Sequence, residues 1–201
     1  MQKKILTAIL LLAAVCLNAQ DIEQNIKTLN GKTQTYTATF TEKTVMPKMN
    51  KQTVKQGTIR FVSPDALLMD YTDPQGDYTL IKDGKFIVSR KGQVQNMTMT
   101  PKSQMYIFRE TLLGSMTGDL KRVAEQNEAD IDCKQEAGKY VCILTKQKAK
   151  TTGINRLELE YDTKTGALVS LNLIQANGNY TIYETTGIQL NQKIDSSVWN
   201  K

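Results

Sequence analysis

Histidine is absent from this chain of 201 residues. Without imidazole, the sequence offers no histidine metal ligand, no Ser-His-Asp triad and no general base of the commonest kind. No glycine-rich phosphate loop precedes a helix, and Asp65, Asp70 and Asp73 lack the spacing of a calcium-binding loop. We therefore predict a protein that is not an enzyme and that uses no metal or cofactor.

The amino terminus carries a targeting pattern. Two lysines precede an apolar run over residues 5–17, and the small residue Ala19 follows it. This arrangement is typical of a secretory signal peptide, and the run is too short for a membrane span. We predict cleavage after Ala19, so that residues 1–19 are a signal peptide and residues 20–201 form one domain in the periplasm.

Cysteine is scarce, with three residues in the chain. Cys16 falls in the signal peptide, and its acylation is the less favoured alternative because Val15, rather than a smaller residue, precedes it. Cys133 and Cys142 flank an Ala-Gly turn in a segment that alternates like a β-hairpin, so we expect them to face each other across two strands. In an exported protein this pair predicts one structural disulfide, and the spacing excludes a Cys-x-x-Cys redox pair.

Charge is modest and spread along the chain, with 26 basic and 20 acidic residues. The one basic cluster is the segment of residues 146–150, Lys-Gln-Lys-Ala-Lys. No basic stripe is interleaved with aromatic residues, so nucleic-acid binding is not expected. A mildly basic surface suits weak contact with anionic membranes or polar lipid headgroups, and an ordinary solvated face explains it equally well.

Short segments that alternate between apolar and polar residues make up most of the chain. Residues 33–45 alternate strictly, and residues 57–88 form a meander in which Pro64, Pro74 and the Asp83-Gly84 pair mark the turns. The apolar side chains of these strands fall on one face, which comprises Phe40, Ile59, Phe61, Leu67, Met69 and Tyr71. About ten short strands at regular spacing predict one antiparallel sheet that curls toward a barrel.

Two segments have helical spacing. The first follows Asp21 as its N-cap and covers residues 22–29. The second begins after Ser103 as its N-cap and ends at Gly114, and strands resume from Val123 onward. The apolar face of the second helix comprises Met105, Phe108, Leu112 and Met116. Such a face predicts a helix packed on the sheet, and a mobile lid is the alternative.

The meander resembles the LolA-like family of periplasmic outer-membrane lipoprotein carriers. The shared pattern is a Gly-x-aliphatic-x-aromatic strand, an x-Pro break, an alternating strand that ends in Tyr-x-x-Pro, and an Asp-Gly hairpin. The matching positions are Gly57, Ile59, Phe61, Pro64, Leu67, Met69, Tyr71, Pro74, Asp83 and Gly84. Two positions differ, because Ser63 stands where these carriers often have Arg and Met69 where they often have Trp.

The resemblance implies a mainly β domain, a single antiparallel sheet curled into an incomplete barrel with a few α-helices as a lid over its concave face. It implies a carrier that binds lipoprotein acyl chains or a similar lipid between sheet and helices. An inner-membrane lipoprotein-releasing transporter would supply the cargo, and an outer-membrane acceptor would receive it.

The expected cavity residues are Phe40, Ile59, Phe61, Leu67, Met69, Tyr71, Met105, Phe108, Leu112 and Met116. We expect a monomer. A non-transporting lipid sensor on the same fold and a β domain with a fully packed interior are the alternatives.

Overall fold

The structure, a computed structural model, describes residues 19–101 and 103–201, so the predicted signal peptide up to residue 18 lies outside it. The three α-helices of this part are α1 (Ala19–Asn30), α2 (Gln104–Thr117) and α3 (Leu120–Asn127). The strands are β1 (Thr35–Met46), β2 (Lys51–Val62), β3 (Ala66–Asp73), β4 (Gln75–Lys82), β5 (Lys85–Arg90), β6 (Gln93–Asn96), β7 (Ala129–Glu136), β8 (Lys139–Lys146), β9 (Ile154–Asp162), β10 (Leu168–Gln175) and β11 (Tyr180–Leu190). None of the helices in the described residues is both long and apolar enough to cross a membrane.

One antiparallel sheet contains all eleven strands, in the order β6-β5-β4-β3-β2-β1-β11-β10-β9-β8-β7. The pairing of β1 with β11 joins the two halves of the sheet, and β6 and β7 form its edges. The sheet is therefore open rather than a closed barrel, which confirms the predicted fold class. The sequence analysis missed β6, whose four residues are all exposed and carry no alternating apolar pattern.

Two tight hairpin turns follow the sequence signals closely. Asp83 and Gly84 both have positive φ angles, 50° and 72°, and join β4 to β5. Ala137 and Gly138 do the same between β7 and β8, with φ angles of 48° and 78°. Such two-residue turns match the twist of the flanking strands and fix the register.

The register of the second hairpin places the two cysteines together. Cys133 pairs directly with Cys142, as predicted, and their Cα atoms are 4.2 Å apart. The two residues form a disulfide in the structure. Both side chains are buried in the main core.

The face of the sheet that carries the main core is called the inner face below, and all three helices pack against it. Ile22 and Ile26 of α1 belong to this core together with Leu112 and Met116 of α2 and Val123 of α3. The helices therefore cover the inner face, as the resemblance implied for the concave face.

Two helix boundaries differ from the predictions, and one helix was not predicted. The first helix already includes Ala19, so Asp21 lies in its first turn instead of capping it. The second helix begins at the predicted cap Ser103, but it continues past Gly114 and ends at Gly118, which has a φ of 68°. Gly114 serves close packing instead, because a Cβ there would lie 2.5 Å from Cγ2 of Val123. The prediction of strand was wrong for residues 123–127, which belong to α3, and strands resume only at Ala129.

A second, smaller apolar cluster lies on the outer face of the sheet. Leu68, Tyr78 and Leu80 are buried there beneath Val198 and Trp199 of the carboxy-terminal 3₁₀ turn, Ser196–Trp199. Nζ of Lys201 adds an ion pair with Oδ2 of Asp70 at 2.8 Å. The sequence analysis did not anticipate this contact, because nothing in a six-residue tail indicates which face of a sheet it covers.

Candidate ligand-binding site

The inner faces of β1, β2 and β3 are apolar because their registers align the alternating residues. Ile59 pairs with Met69, and Phe61 pairs with Leu67, so their side chains stand side by side on one face. The six strand residues predicted to share this face are all buried in the main core: Phe40, Ile59, Phe61, Leu67, Met69 and Tyr71.

Gly57 provides room for the Phe40 ring. It pairs with Phe40, and a Cβ at position 57 would lie 2.7 Å from Cε1 of the Phe40 ring and 2.3 Å from the backbone oxygen of Asp70. The Phe40 ring thus lies across β2 and meets the ring of Tyr71 edge to face, with centroids 5.1 Å apart. The glycine of the shared family pattern is therefore explained by packing.

A buried carboxylate interrupts the apolar surface beyond Phe40. Glu42 is 8% exposed and accepts a hydrogen bond of 2.5 Å from the Tyr71 hydroxyl. Arg90 lies over the Tyr71 ring, 4.8 Å from its centroid. Burial raises the pKa of the Tyr71 phenol, and the adjacent Tyr183 and Glu42 add to this shift while Arg90 opposes it. Tyr71 therefore remains a protonated donor that holds Glu42 in place.

The second half of α2 is fixed to its surroundings by polar contacts. The Tyr161 hydroxyl of β9 donates to the backbone oxygen of Ser115 at 3.0 Å. Asn127 of α3 donates to Oγ1 of Thr111 at 2.8 Å. Glu110 is 1% exposed and pairs with both Arg109 and Arg122, so that its buried carboxylate has charged partners.

The first half of α2 is less firmly held. Residues 105–109 are only partly buried, whereas residues 110–116 are buried. Phe108 stacks on Phe86 of β5 with ring centroids 6.1 Å apart. The helix is thus anchored at one end and lies over a more open region at the other.

A small apolar cavity of about 30 Å³ lies between the sheet and the second half of α2. This volume suffices for about one water molecule and not for an acyl chain. The cavity is lined by Phe40, Ile59, Leu67, Met69, Leu112, Met116, Leu168, Ser170, Leu171, Tyr183 and Thr185. The inner face under the anchored part of the helix is therefore nearly filled by its own side chains.

A larger cleft of about 420 Å³ opens beside the first half of α2. It lies between this helix and strands β8 to β11 and falls in the size range of small-molecule sites. Its lining includes Met105, Ile107, Phe108, Ile154, Leu173 and Tyr183 as the apolar part, and Gln104, Thr111, Asn127, Lys146, Lys150, Thr152, Gly153, Gln175 and Thr181 as the remainder. We refer to this space as the α2 cleft.

Tyr183 borders both spaces, since it is part of the lining of the small cavity and of the α2 cleft. Tyr183 is partly exposed as a residue, but its phenol group is buried, and this burial raises the pKa of the phenol. The nearby Glu42 raises this pKa further, and Arg90 lowers it. Glu42 is also the direct strand partner of Tyr183. The two spaces thus share Tyr183, whose hydroxyl end lies near a buried carboxylate.

The predicted cavity residues are distributed over these two spaces. Most of them line the small cavity, and Met105 and Phe108 line the α2 cleft. Phe61 and Tyr71 are buried in the core but line neither space. The sequence analysis did not select the residues of β8 to β11 that complete the cleft. Alternation in these strands was visible, but no signal identified which of them face α2.

The described residues contain no group of three or more His, Cys, Asp or Glu side chains that could hold a metal ion. The walls of the cleft consist of aliphatic and aromatic side chains with amides, hydroxyls and two lysines at its polar side. Such a surface binds an amphiphilic molecule by apolar burial and by a few polar contacts.

An open antiparallel sheet with helices over its inner face and an apolar cleft between them defines a class of small-molecule binding domain. The family model described as "Outer membrane lipoprotein carrier protein LolA" matches residues 31–200. The chain therefore belongs to this family, which confirms the resemblance stated from the meander. Members of the family are periplasmic proteins that bind lipids or lipoproteins and are not enzymes. No curated protein matches the chain.

Solved structures with the same fold have very different sequences. An uncharacterised conserved protein from Thermus thermophilus superposes with a TM-score of 0.54 at 8% identity, covering 91% of this chain and 93% of that one. MucB of Pseudomonas aeruginosa, in its complex with MucA, gives 0.52 at 12% identity, over 90% of this chain and 60% of that one. A DUF1329 family protein from Desulfovibrio piger gives 0.50 at 14% identity, over 90% and 95%. These similarities concern the fold alone.

Proposed function

We propose that this protein is a periplasmic carrier that binds the acyl chains of lipoproteins, or a similar lipid, and shuttles them to the outer membrane. The observation that supports this proposal most directly is the α2 cleft of about 420 Å³ in a chain of the lipoprotein carrier family. Its apolar side is formed by the first half of α2 and by the inner face of the sheet. The cleft would bind the acyl chain without forming any covalent bond to it.

Apolar burial alone is sufficient for useful affinity. Each Å² of acyl surface removed from water contributes about 25 cal/mol, so that burial of about 300 Å² is favourable by about 7.5 kcal/mol before the costs of association. The methionine and phenylalanine of α2 that line the cleft suit a surface that must fit chains of different length, because methionine is flexible. The cleft therefore fits a lipid carrier with broad chain specificity.

Loading would involve the less firmly held half of α2. An acyl chain longer than the cleft would displace Tyr183 or lift residues 104–109, since the small cavity behind Tyr183 is too small to receive it. In this proposal an inner-membrane lipoprotein-releasing transporter supplies the cargo, and an outer-membrane acceptor withdraws it. The carrier works as a monomer.

Extraction of the purified protein into organic solvent, followed by mass spectrometry, tests whether it carries lipid. We expect acyl lipids or lipoprotein in stoichiometric amounts from protein isolated from its native periplasm. Protein that is free of lipid, and that also fails to bind an added fluorescent acyl probe, would contradict the carrier function.

Substitution inside the cleft tests the site. Ile154 lines the cleft and is partly exposed. Ile154→Trp should reduce binding of a fluorescent acyl probe with little change in melting temperature, because it fills open space. Val94→Trp is the matched control, since Val94 is 61% exposed and lines neither space. Leu67→Trp should instead overpack the nearly filled inner face and cost about 1–3 kcal/mol of stability.

A non-transporting lipid sensor is the second candidate. MucB, which has a similar fold, was crystallised in complex with the protein MucA, so this fold also occurs in a domain with a protein partner. The two candidates differ in lipid release. A carrier loaded with labelled lipoprotein should pass it to vesicles that contain an outer-membrane acceptor, whereas a sensor should retain its lipid under the same conditions.

A further inference from the structure

The only basic cluster of the sequence lies at the α2 cleft. Lys146 is the last residue of β8, and Lys150 lies in the loop that joins β8 to β9. Both side chains line the cleft, while Lys148 between them does not. The cluster thus contributes two of its three lysines to the lining of the cleft.

The loop holds Lys150 in a defined conformation. Its backbone nitrogen donates to Oδ1 of Asn155 at 3.1 Å, and its backbone oxygen accepts from Nδ2 of the same residue at 2.8 Å. The two bonds close the loop at its β9 end. The backbone from which the Lys150 side chain extends is therefore fixed beside the cleft.

Positive charge exceeds negative charge at this position. Nζ of Lys146 donates to the backbone oxygen of Asn127 at 2.6 Å, and Nζ of Lys150 lies 3.3 Å from Oε2 of Glu128. Two ammonium groups thus face one carboxylate. Burial lowers the pKa of Lys146, the charge of Lys150 lowers it further, and Glu128 opposes this shift. A bound anion would relieve the repulsion between the two lysines.

The apolar and cationic parts of the cleft are continuous. Ile154 follows the loop directly and lines the same space as Lys146, Phe108 and Leu173. Thr152 and Gln175 add a hydroxyl and an amide to the polar part of the lining. An apolar wall beside two cations matches an amphiphile with an acyl chain and an anionic headgroup, whereas a neutral headgroup would bring no negative charge to the two ammonium groups beyond that of Glu128.

We propose that Lys146 and Lys150 bind the phosphate or carboxylate headgroup of the lipid whose acyl chain occupies the α2 cleft. This inference rests on the proposed function and specifies its ligand class as an anionic lipid. Lysine binds phosphate as a point charge, and a headgroup held in this way would orient the chain toward Phe108 and Leu173. The ammonium groups act by charge and hydrogen bonding, and no bond is formed or broken.

The test compares lipids that share one acyl chain and differ in headgroup. Binding of lysophosphatidylglycerol, palmitate and monopalmitoylglycerol is measured by calorimetry with the delipidated full-length protein. We expect the two anionic lipids to bind about tenfold more tightly than the neutral one at low salt, and this preference to shrink as salt is added. Lys146→Gln/Lys150→Gln should remove the preference and leave the affinity for monopalmitoylglycerol unchanged.

Two control variants isolate the role of charge. Lys146→Arg/Lys150→Arg keeps both positive charges and should keep the preference for anionic lipids. This result would show that the loss in the glutamine variant comes from the missing charges and not from a disturbed loop. Lys148→Gln removes a lysine that does not line the cleft and should change nothing. If Lys148→Gln reduces the preference as much as the double variant, general surface charge is responsible and the inference is wrong.

The remaining outcomes separate the inference from the proposed function. Equal affinity of the wild-type protein for all three lipids would overturn the headgroup site and leave the carrier function standing. Failure to bind any of them would overturn the carrier function itself. Inorganic phosphate that binds as tightly as lysophosphatidylglycerol, and only when both lysines are present, would assign them to a free anion and overturn the headgroup inference.

Discussion

At the scale of single residues, Gly57 is a position where even one added methyl group meets neighbouring atoms. Gly57→Ala would bring a Cβ to 2.3 Å from the Asp70 backbone oxygen and against the Phe40 ring, so that backbone and ring must both shift. We expect the free energy of unfolding to fall by about 1–3 kcal/mol, as for other overpacked cores. Urea denaturation measures it. Thr58→Ala, at the next position of β2, is the control, and equal stability of the two variants would contradict this account.

The buried disulfide is the second prediction at this scale. Cys133 and Cys142 are nine positions apart, and their bond constrains the unfolded chain by closing this short loop. Cys133→Ser/Cys142→Ser should therefore fold and lose about 2–3 kcal/mol of stability. Urea denaturation gives the loss, and intact mass after alkylation shows whether exported protein contains the bond. Two alkylated thiols in protein taken from the periplasm would contradict the pairing.

At the scale of elements, the two halves of α2 should differ in their local stability. Residues 110–116 are buried and fixed by polar contacts, whereas residues 104–109 border the α2 cleft. We expect the amides of the first half to exchange faster with solvent than those of the second half, because local opening requires fewer contacts to break. Hydrogen exchange with mass spectrometry measures this difference. Bound lipid should slow the first half selectively, and equally slow exchange in both halves would contradict a movable lid.

The anchor of α2 is a further prediction about this element. Tyr161→Phe removes the hydroxyl that donates to the Ser115 backbone oxygen and leaves this acceptor without that partner. Stability should fall by about 1 kcal/mol. Tyr140→Phe is a matched control, because Tyr140 pairs directly with Tyr161 across β8 and β9 and is also buried. A similar thermal melt for both variants would show that the hydroxyl contributes nothing to the anchor.

At the scale of the whole molecule, the buried tyrosines should make stability depend on pH on the alkaline side. Burial raises the pKa of Tyr36 to about 12, and it also raises the pKa of Tyr71, Tyr161 and Tyr183. The folded state therefore holds these protons more tightly than the unfolded state does. The contribution of these tyrosines to the free energy of unfolding is fully present below about pH 10, the pKa of an unfolded tyrosine. This contribution is lost as the pH rises beyond that value.

The chain also lacks histidine, whose ordinary pKa would cause a change near neutral pH. We expect little change in stability between about pH 6 and pH 9 and a steep loss above about pH 10. Urea denaturation across this range, with tyrosinate absorbance recorded on the same samples, checks both statements. Ionisation of all tyrosines near pH 10 while the sheet stays intact would contradict the burial of these phenols.

Much of the fold was predictable because its signals are local. Alternation placed Ile59, Phe61, Leu67 and Met69 on one face, and the Asp-Gly and Ala-Gly pairs located two hairpins. The missed elements have weak local signals. Strand β6 is exposed and polar, and α3 has eight residues, which is short for recognition by periodicity.

The sequence by itself determined the individual strands, the apolar side of each, the cysteine register and the cap of α2, because each depends on residues close together in the chain. Only the tertiary structure decided where empty space remains. Leu168, Ser170 and Leu171 all line the small cavity because a register shift in β10 breaks its alternation. The α2 cleft joins one helix to four strands that lie far along the chain. Such a space is the volume left after distant elements pack, and no local pattern encodes it.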